Sequence, residues 1–176
     1  MFKIHNPPKG LILFTGGYCD IGIGVIDKLI EYNYFVYNID NLSGEKSQDN
    51  FEKINYRTRS SFTDLCYSQY LWPELEFSYV VHLAGVFNNE KAEADHIKAF
   101  EVNLIDTIRL LDRCVEIGAT FIYLNESRPG ILGHIHQLVL NTIEFYVQTK
   151  GLKTILIPIE TQSIEEIQTK ILTSIT

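Results

Sequence analysis

A chain of 176 residues with 45% hydrophobic and 21% charged residues has the composition of one ordinary globular unit able to bury a substantial core. A formal net charge of −7, with no run of Lys or Arg, sets its field against polyanions and argues against a phosphate-tracking nucleic-acid binder. The apolar runs are of strand length, residues 1–10 lack the apolar core of a secretion signal, and Cys19, Cys66 and Cys114 form no C-x-x-C pair, so the expectation is a cytoplasmic protein with no membrane span, disulfide framework or zinc site.

Strand and helix signals alternate along the chain. Leu11 to Thr15 is a short apolar run stopped by Gly16-Gly17, which predicts a buried parallel strand. Ile21, Val25, Leu29 and Ile30 then recur at helical spacing, and Tyr34 to Ile39 predicts a second strand. A polar turn and short helix over Ser43 to Ile54 lead to a weaker strand around Asn55 to Arg59 and a helix started by Thr63-Asp64. Tyr79 to Leu83 predicts strand four. A long helix is predicted from Ala92 to Ile117, with Gly118 placed to end it. Thr120 to Leu124 and Thr154 to Pro158 predict strands five and six around a helix from about His134 to Thr149. Ser163 to Ile175 closes the chain as an amphipathic helix. The pattern predicts a doubly wound α/β fold over residues 1–176, Rossmann-like, with about six parallel strands, helices on both faces and a ligand crevice between strands one and four.

The first strand, its glycine turn and the next helix form a unit suited to phosphate, because free N–H groups and the helix dipole meet there. The turn is Thr15-Gly16-Gly17-Tyr18-Cys19-Asp20-Ile21-Gly22, and Asp40 ends the second strand, where an acid accepts hydrogen bonds from a ribose and favours NAD over NADP. A plainer account is also open: the glycines serve only tight packing, Asp40 is a solvated loop acid, and Asn103 caps a kink or bonds a neighbouring strand.

These segments resemble the extended short-chain dehydrogenases, especially the NAD-dependent nucleotide-sugar epimerases and dehydratases. The resemblance rests on Thr-Gly-Gly-x-x-x-Ile-Gly, on Asp40-Asn41-Leu42-Ser43, on Val80-Val81-His82-Leu83-Ala84-Gly85, on Asn103 in its helix, and on Phe121-Ile122-Tyr123. It spans about residues 10 to 160. It implies NAD as cofactor, held by Gly16, Gly17, Ile21, Gly22, Asp40, Asn41, Leu83, Ala84, Gly85 and Asn103. It also implies a homodimer, or a place in a larger assembly, through the helices near 92–117 and 133–149.

The departures weaken that cofactor site. Cys19 stands at the family's middle glycine, where a Cβ and sulfur crowd the phosphate. Asp20 sets a carboxylate beside it, and like charges about 4–5 Å apart repel by roughly 3–4 kcal/mol before screening. Ser61 replaces the acid expected after strand three. The family's chemistry is hydride transfer assisted by a Tyr acid/base, a Lys four residues on, and a Ser or Thr. Tyr146 and Lys150 have that spacing, but Lys150 directly precedes Gly151-Leu152. Counting back as the resemblance implies puts the Lys at His136 and the Tyr at Leu132, leaving Tyr146 and Lys150 as a packed ring and a helix-end cation. Glu126 stands near the expected hydroxyl, with Ser127 one place late. Only 160–176 follows strand six where the family has a long substrate region, so the substrate domain is expected to be largely absent. His134 and His136 diverge on a helix and make no metal pair.

No catalytic set and no metal site is therefore assigned. The leading expectation is a catalytically degenerate family member with a binding, regulatory or assembly role. The alternatives are an active minimal NAD-dependent epimerase, dehydratase or oxidoreductase acting on a nucleotide sugar, and a cofactor-free interaction protein.

Overall fold

The computed structural model describes residues 8–54, 59–61, 75–126, 129–159 and 162–176. The elements run β1 (Leu11–Thr15), α1 (Asp20–Glu31), β2 (Phe35–Ile39), α2 (Ser47–Ile54), β3 (Arg59–Ser61), β4 (Tyr79–His82), α3 (Asn89–Ala94), α4 (His96–Phe100), a π turn (Glu101–Ile105), α5 (Asp106–Ile117), β5 (Thr120–Asn125), α6 (Gly130–Lys150), β6 (Lys153–Pro158) and α7 (Ile164–Ile175). The strands form one six-stranded sheet in the order β3-β2-β1-β4-β5-β6, every pair parallel. The strand order changes direction between β1 and β4, which opens the crevice where such sheets bind ligands.

Alternation along the strands divides the core in two, because successive side chains point to opposite faces. Ile12 and Phe14 of β1 pack with Val25, Ile26 and Leu29 of α1 and with Ile167, Ile171 and Ile175 of α7. Leu13 faces the other way, joining Val80 and Phe121 under Leu110, Leu111 and Cys114 of α5 and Val139 and Ile143 of α6. Burial of a side chain of this size contributes about 1.5–3 kcal/mol. On the first face, Gln168 of α7 also donates its Nε2 to the Asp20 and Ile21 carbonyls in the first turn of α1, at 3.0 and 3.2 Å.

The predicted helix over 92–117 is three helices and a π turn. Asp95 leaves helical geometry (φ −141, ψ 78), and its carboxylate accepts from Lys98 N–H at 3.0 Å, so one helix stops and another starts at that residue. Gly118 ends α5 in the left-handed conformation, and Gly151 ends α6 in the same way. α6 begins earlier than its apolar periodicity suggests, at Gly130, behind Pro129. The helix start at Thr63-Asp64 and residues 55–58 of the expected third strand lie outside the described residues, as does Cys66. Among the described residues no helix is long and apolar enough to cross a membrane.

Candidate functional site at the carboxyl ends of the strands

β1 leaves the sheet through Gly16, held at φ +68. A Cβ there would lie 2.6 Å from the Ala84 nitrogen, so the exits of β1 and β4 touch backbone to backbone and only glycine fits. Gly16 N–H donates to Ile39 carbonyl and Leu83 N–H to Thr15 carbonyl, both at 2.8 Å, which ties three strand ends together. Gly17 N–H donates to the Asn38 Oδ1 at 3.0 Å, and Gly22 packs directly against the Gly17 carbonyl.

The next residues turn inward. Tyr18 is fully buried, with its ring edge-on to Phe51 of α2 at 5.5 Å. Its N–H donates to Asp40 Oδ2 at 3.0 Å, while Leu42 N–H donates to Asp40 Oδ1 at 2.8 Å. Asp40 is only 7% exposed, so it is not the solvated loop acid of the plainer account. Burial pushes its carboxyl above the usual range, against the pull of those two bonds. Asn41 is exposed and accepts from Ser43 N–H at 3.0 Å.

Cys19 and Asp20 occupy the helix end differently from what the sequence suggests. Cys19 is the N-cap of α1, its sulfur accepting from Gly22 N–H at 3.3 Å, and burial pushes the thiol up. The thiol therefore takes a helix-end donor that an anion would need. Asp20 is corrected as a source of repulsion. It pairs with Lys46 at 2.8 Å and accepts from Asn50 Nδ2 at 3.2 Å, and these partners, the Lys46 bond first, hold its carboxyl below the usual range. Its charge is matched by an ammonium, so the crowding comes from sulfur rather than from charge.

Beyond this turn lies a cavity of about 220 Å³ at the ends of β4 and β5. Leu83, Ala84, Gly85 and Asn103 line it together with Cys19 and Ile21; Gly16, Gly17, Gly22, Asp40 and Asn41 are not in its lining. Asn103, in the π turn, clamps the wall after β4. Its Oδ1 accepts from Val86 N–H at 2.7 Å and its Nδ2 donates to Val86 carbonyl at 3.0 Å, so it bonds a loop and not a strand. Leu132, His136, Tyr123 and Glu126 complete the opposite wall. Leu132 and His136 are the positions reached by counting back from Gly151. Tyr123 of β5 is a further lining residue, signalled in the sequence only by its place near the carboxyl end of that strand.

Tyr146 and Lys150 are elsewhere. Both bond Asp112 Oδ1 on α5, Tyr146 Oη donating at 2.8 Å and Lys150 Nζ at 3.1 Å, and Lys150 lies over the Tyr146 ring at 4.5 Å. Burial, then the Asp112 bond, raises the Tyr146 hydroxyl. Neither residue lines the cavity. His134 is exposed while His136 faces the cavity, and no group of three metal-ligating side chains occurs among the described residues. Ser127 lies outside the described residues.

His82, at the end of β4, lines the cavity and is otherwise buried. Thr107 donates its hydroxyl to the Asn103 carbonyl at 2.7 Å, so its oxygen accepts from His82 Nε2–H at 2.9 Å, and His82 Nδ1 accepts from Thr15 at 2.6 Å. The ring is held neutral in one tautomer, and burial pushes its pKa down to about 3.

A parallel sheet in this order, with a glycine bend under a helix end and a cavity beside it, defines a protein of the dinucleotide-fold class. The sequence profile of the NAD dependent epimerase/dehydratase family matches residues 12–127, and the chain belongs to that family. A protein of Methanocaldococcus jannaschii, named provisionally as a UDP-glucose 4-epimerase, is 32% identical over 131 residues, covering 73% of this chain and 41% of the relative. The UDP-glucose 4-epimerase of Thermotoga maritima, solved with UDP-glucose, superposes with a TM-score of 0.74 at 24% identity over 83% of this chain and 54% of that one. The NAD complex of the Thermus thermophilus UDP-glucose 4-epimerase gives 0.72 at 21% identity, over 83% and 53%. These two structures share the fold, and the chain spans about half the length of the relatives it matches.

The family implies NAD. The β1–β4 bend keeps its close backbone approach, but the Gly22 N–H is taken by Cys19 sulfur and Asp40 is closed over by Tyr18 and Leu42. With the Gly22 N–H and both Asp40 oxygens already engaged, the seat fits the pyrophosphate and ribose of NAD poorly.

His82 makes a pH prediction. Its folded pKa lies below the unfolded value of 6.5, so below pH 6.5 the unfolded chain binds the extra proton. Its stabilising contribution is complete above that pH and is lost as pH falls toward about 3, by up to about 1.4 kcal/mol per unit. Asp40, raised by burial, opposes this at the acid end. Urea midpoints measured from pH 7 to 5 should fall, and His82→Gln should flatten the slope. An identical slope in the variant would refute the assignment.

Proposed function

We propose that this chain is a ligand-binding and assembly member of the epimerase/dehydratase family that does not run the family's tyrosine–lysine chemistry. The observation carrying this reading is the Asp112 clasp on Tyr146 and Lys150, outside the cavity, while Tyr123, His136 and Glu126 hold the wall where reacting groups would stand. Nucleotide-sugar turnover needs a proton donor within reach of the reacting oxygen. Tyr146 has none of that reach. Incubated with NAD and UDP-glucose, the protein should form no new nucleotide sugar by chromatography and develop no reduced-nicotinamide absorbance. Development of that band, abolished in Tyr146→Phe, would restore the reading as a minimal working oxidoreductase.

NAD is held weakly, through Gly16, Gly17, Ile21, Gly22, Asp40, Asn41, Leu83, Ala84, Gly85 and Asn103. The support is mixed by position: the β1–β4 bend is kept, while the Cys19 thiol competes for a phosphate donor. Cys19 has extended backbone (φ −71, ψ 164), which glycine adopts freely, so Cys19→Gly removes the sulfur without strain. That variant should bind NAD at least tenfold more tightly. Because NAD at a hundred times its dissociation constant adds about 2.7 kcal/mol, the gain is readable as a larger thermal shift. Equal shifts in both proteins would defeat the thiol-block argument.

The assembly runs through the helices near 92–117 and 133–149. Ile97 (64% exposed), Ile105, Leu138 and Phe145 (55%) leave large apolar side chains in water along those helices, and clustered apolar exposure marks interaction surfaces. Static light scattering should give a mass above that of one chain, falling to one chain in Ile105→Glu with Phe145→Glu. An unchanged mass would end this proposal. A cytoplasmic setting fits the free cysteines Cys19 and Cys114.

A further inference from the structure

Helix α6 buries one side and leaves a second stripe in water. Leu138, Thr142, Phe145 and Thr149 follow one another at intervals of four, three and four residues, which places them within about 60° of each other around the helix. The residue after each of the first three, Val139, Ile143 or Tyr146, is buried. Leu138 and Phe145 themselves stay 43% and 55% exposed. The two threonines turn their hydroxyls to their own helix. Thr142 Oγ1 donates to the Leu138 carbonyl at 2.8 Å and Thr149 Oγ1 to the Phe145 carbonyl at 2.6 Å, so neither needs a partner across the stripe. A spacing that averages 3.5 residues is that of a seam packing knobs into holes against another helix.

We propose that this stripe is a seam for α6 of a second copy of the chain, running antiparallel, with Leu138 over Thr149 of the partner subunit and Phe145 over Thr142 of the partner subunit. This rests on the reading of α6 as part of the assembly, and it adds the occupant, the direction and the register.

Two observations select a second copy. Along the stripe, side-chain size alternates large, small, large, small. Reversed, that order is small, large, small, large, so an antiparallel copy sets each large side chain opposite a small one and the layers interdigitate. A parallel copy would set phenylalanine against phenylalanine and threonine against threonine, crowding one layer and emptying the next. The other observation is charge. Each copy carries −7, so two copies repel on the whole. The 21 residues of α6 hold one acid and one base, Glu144 and Lys150, and Lys150 is bonded to Asp112 of α5. The helix is electrically balanced, and low charge beside an aromatic side chain is the composition of an interface core. A two-fold contact needs a surface complementary to itself, and the stripe is so in both size and charge.

The test is crosslinking of the full chain with a short bis-maleimide. In the antiparallel register residue 138 adjoins residue 149 of the other copy, whereas the two copies of residue 138 stand about 16 Å apart along the axis, eleven residues of helical rise. Leu138→Cys and Thr149→Cys, co-expressed, should give a two-chain band. Each variant alone should give no more of that band than the wild type, which reads any bridging through Cys19, Cys66 and Cys114. Both positions are exposed, and equal urea midpoints check that the fold is kept. Thr142→Phe, which fills the seat of the partner subunit's Phe145, should raise the dissociation constant of the pair at least tenfold in light scattering at graded concentrations. Crosslinking of Leu138→Cys with itself would mean a parallel register and overturn the proposal. A two-chain mass with no crosslink in the mixture, or an unchanged dissociation constant in Thr142→Phe, would also overturn it while leaving the assembly on another face. A wild-type mass of one chain would end the assembly reading together with this one and leave the stripe to a different protein.

Discussion

The close passage of Gly16 against the Ala84 backbone governs the site. Two strand exits that approach to van der Waals distance without an intervening side chain bring β1 and β4 into register at their carboxyl ends, and three backbone hydrogen-bonded ends follow from it. With that contact in place, the chain after β4 must run along the top of the sheet, where Asn103 grips Val86 by both backbone groups. The cavity is the space left between this gripped wall and the start of α6. Its location is therefore a consequence of the bend rather than of any residue that lines it.

Around the retained bend, the anion-binding features have been turned to internal use. Sulfur caps the helix that would hold phosphate, Asp40 closes on backbone N–H groups, and Asp20 finds a lysine. Each of these contacts satisfies a polar group from within the chain. An unoccupied helix end carries unpaired donors at a cost of about 1–3 kcal/mol each when buried. A side chain that caps it stabilises the empty protein and raises the barrier to any anion that would replace it. At Cys19 the contact that caps the helix is the same one that, on the proposed reading, opposes an anion.

Most of the fold could be read from the sequence because its signals are local and periodic. β1, β2, α1 and α7 each announce themselves by apolar spacing, and the glycine turn fixes their order. The break at Asp95 could not be read that way, since Ile97, Phe100 and Leu104 keep helical spacing across it; only the side chain's bond to Lys98 reveals the new start. In the site, the displacement of Tyr146 and Lys150 was legible from their distance to Gly151, a one-dimensional measure that the helix converts directly into position. The partner of Asp20 was not, because Lys46 lies 26 residues away and pairs through a loop. The place of Tyr123 in the cavity wall is illegible for the same reason, since its neighbour there, His136, lies on a different element.

The two bonds from Gln168 to the first turn of α1 join residues 148 and 147 apart in sequence. Closing so long a loop is entropically costly unless its ends are held near one another, and here the sheet between them does that. The turn over the cleft is thus backed by the last helix of the chain. By thermodynamic reciprocity, whatever docking of α7 does to the affinity of the cleft, occupancy of the cleft does in equal measure to the docking of α7. Amide hydrogens of α7, the helix most distant along the chain from the glycine bend, should thereby report on events inside the cavity without touching it.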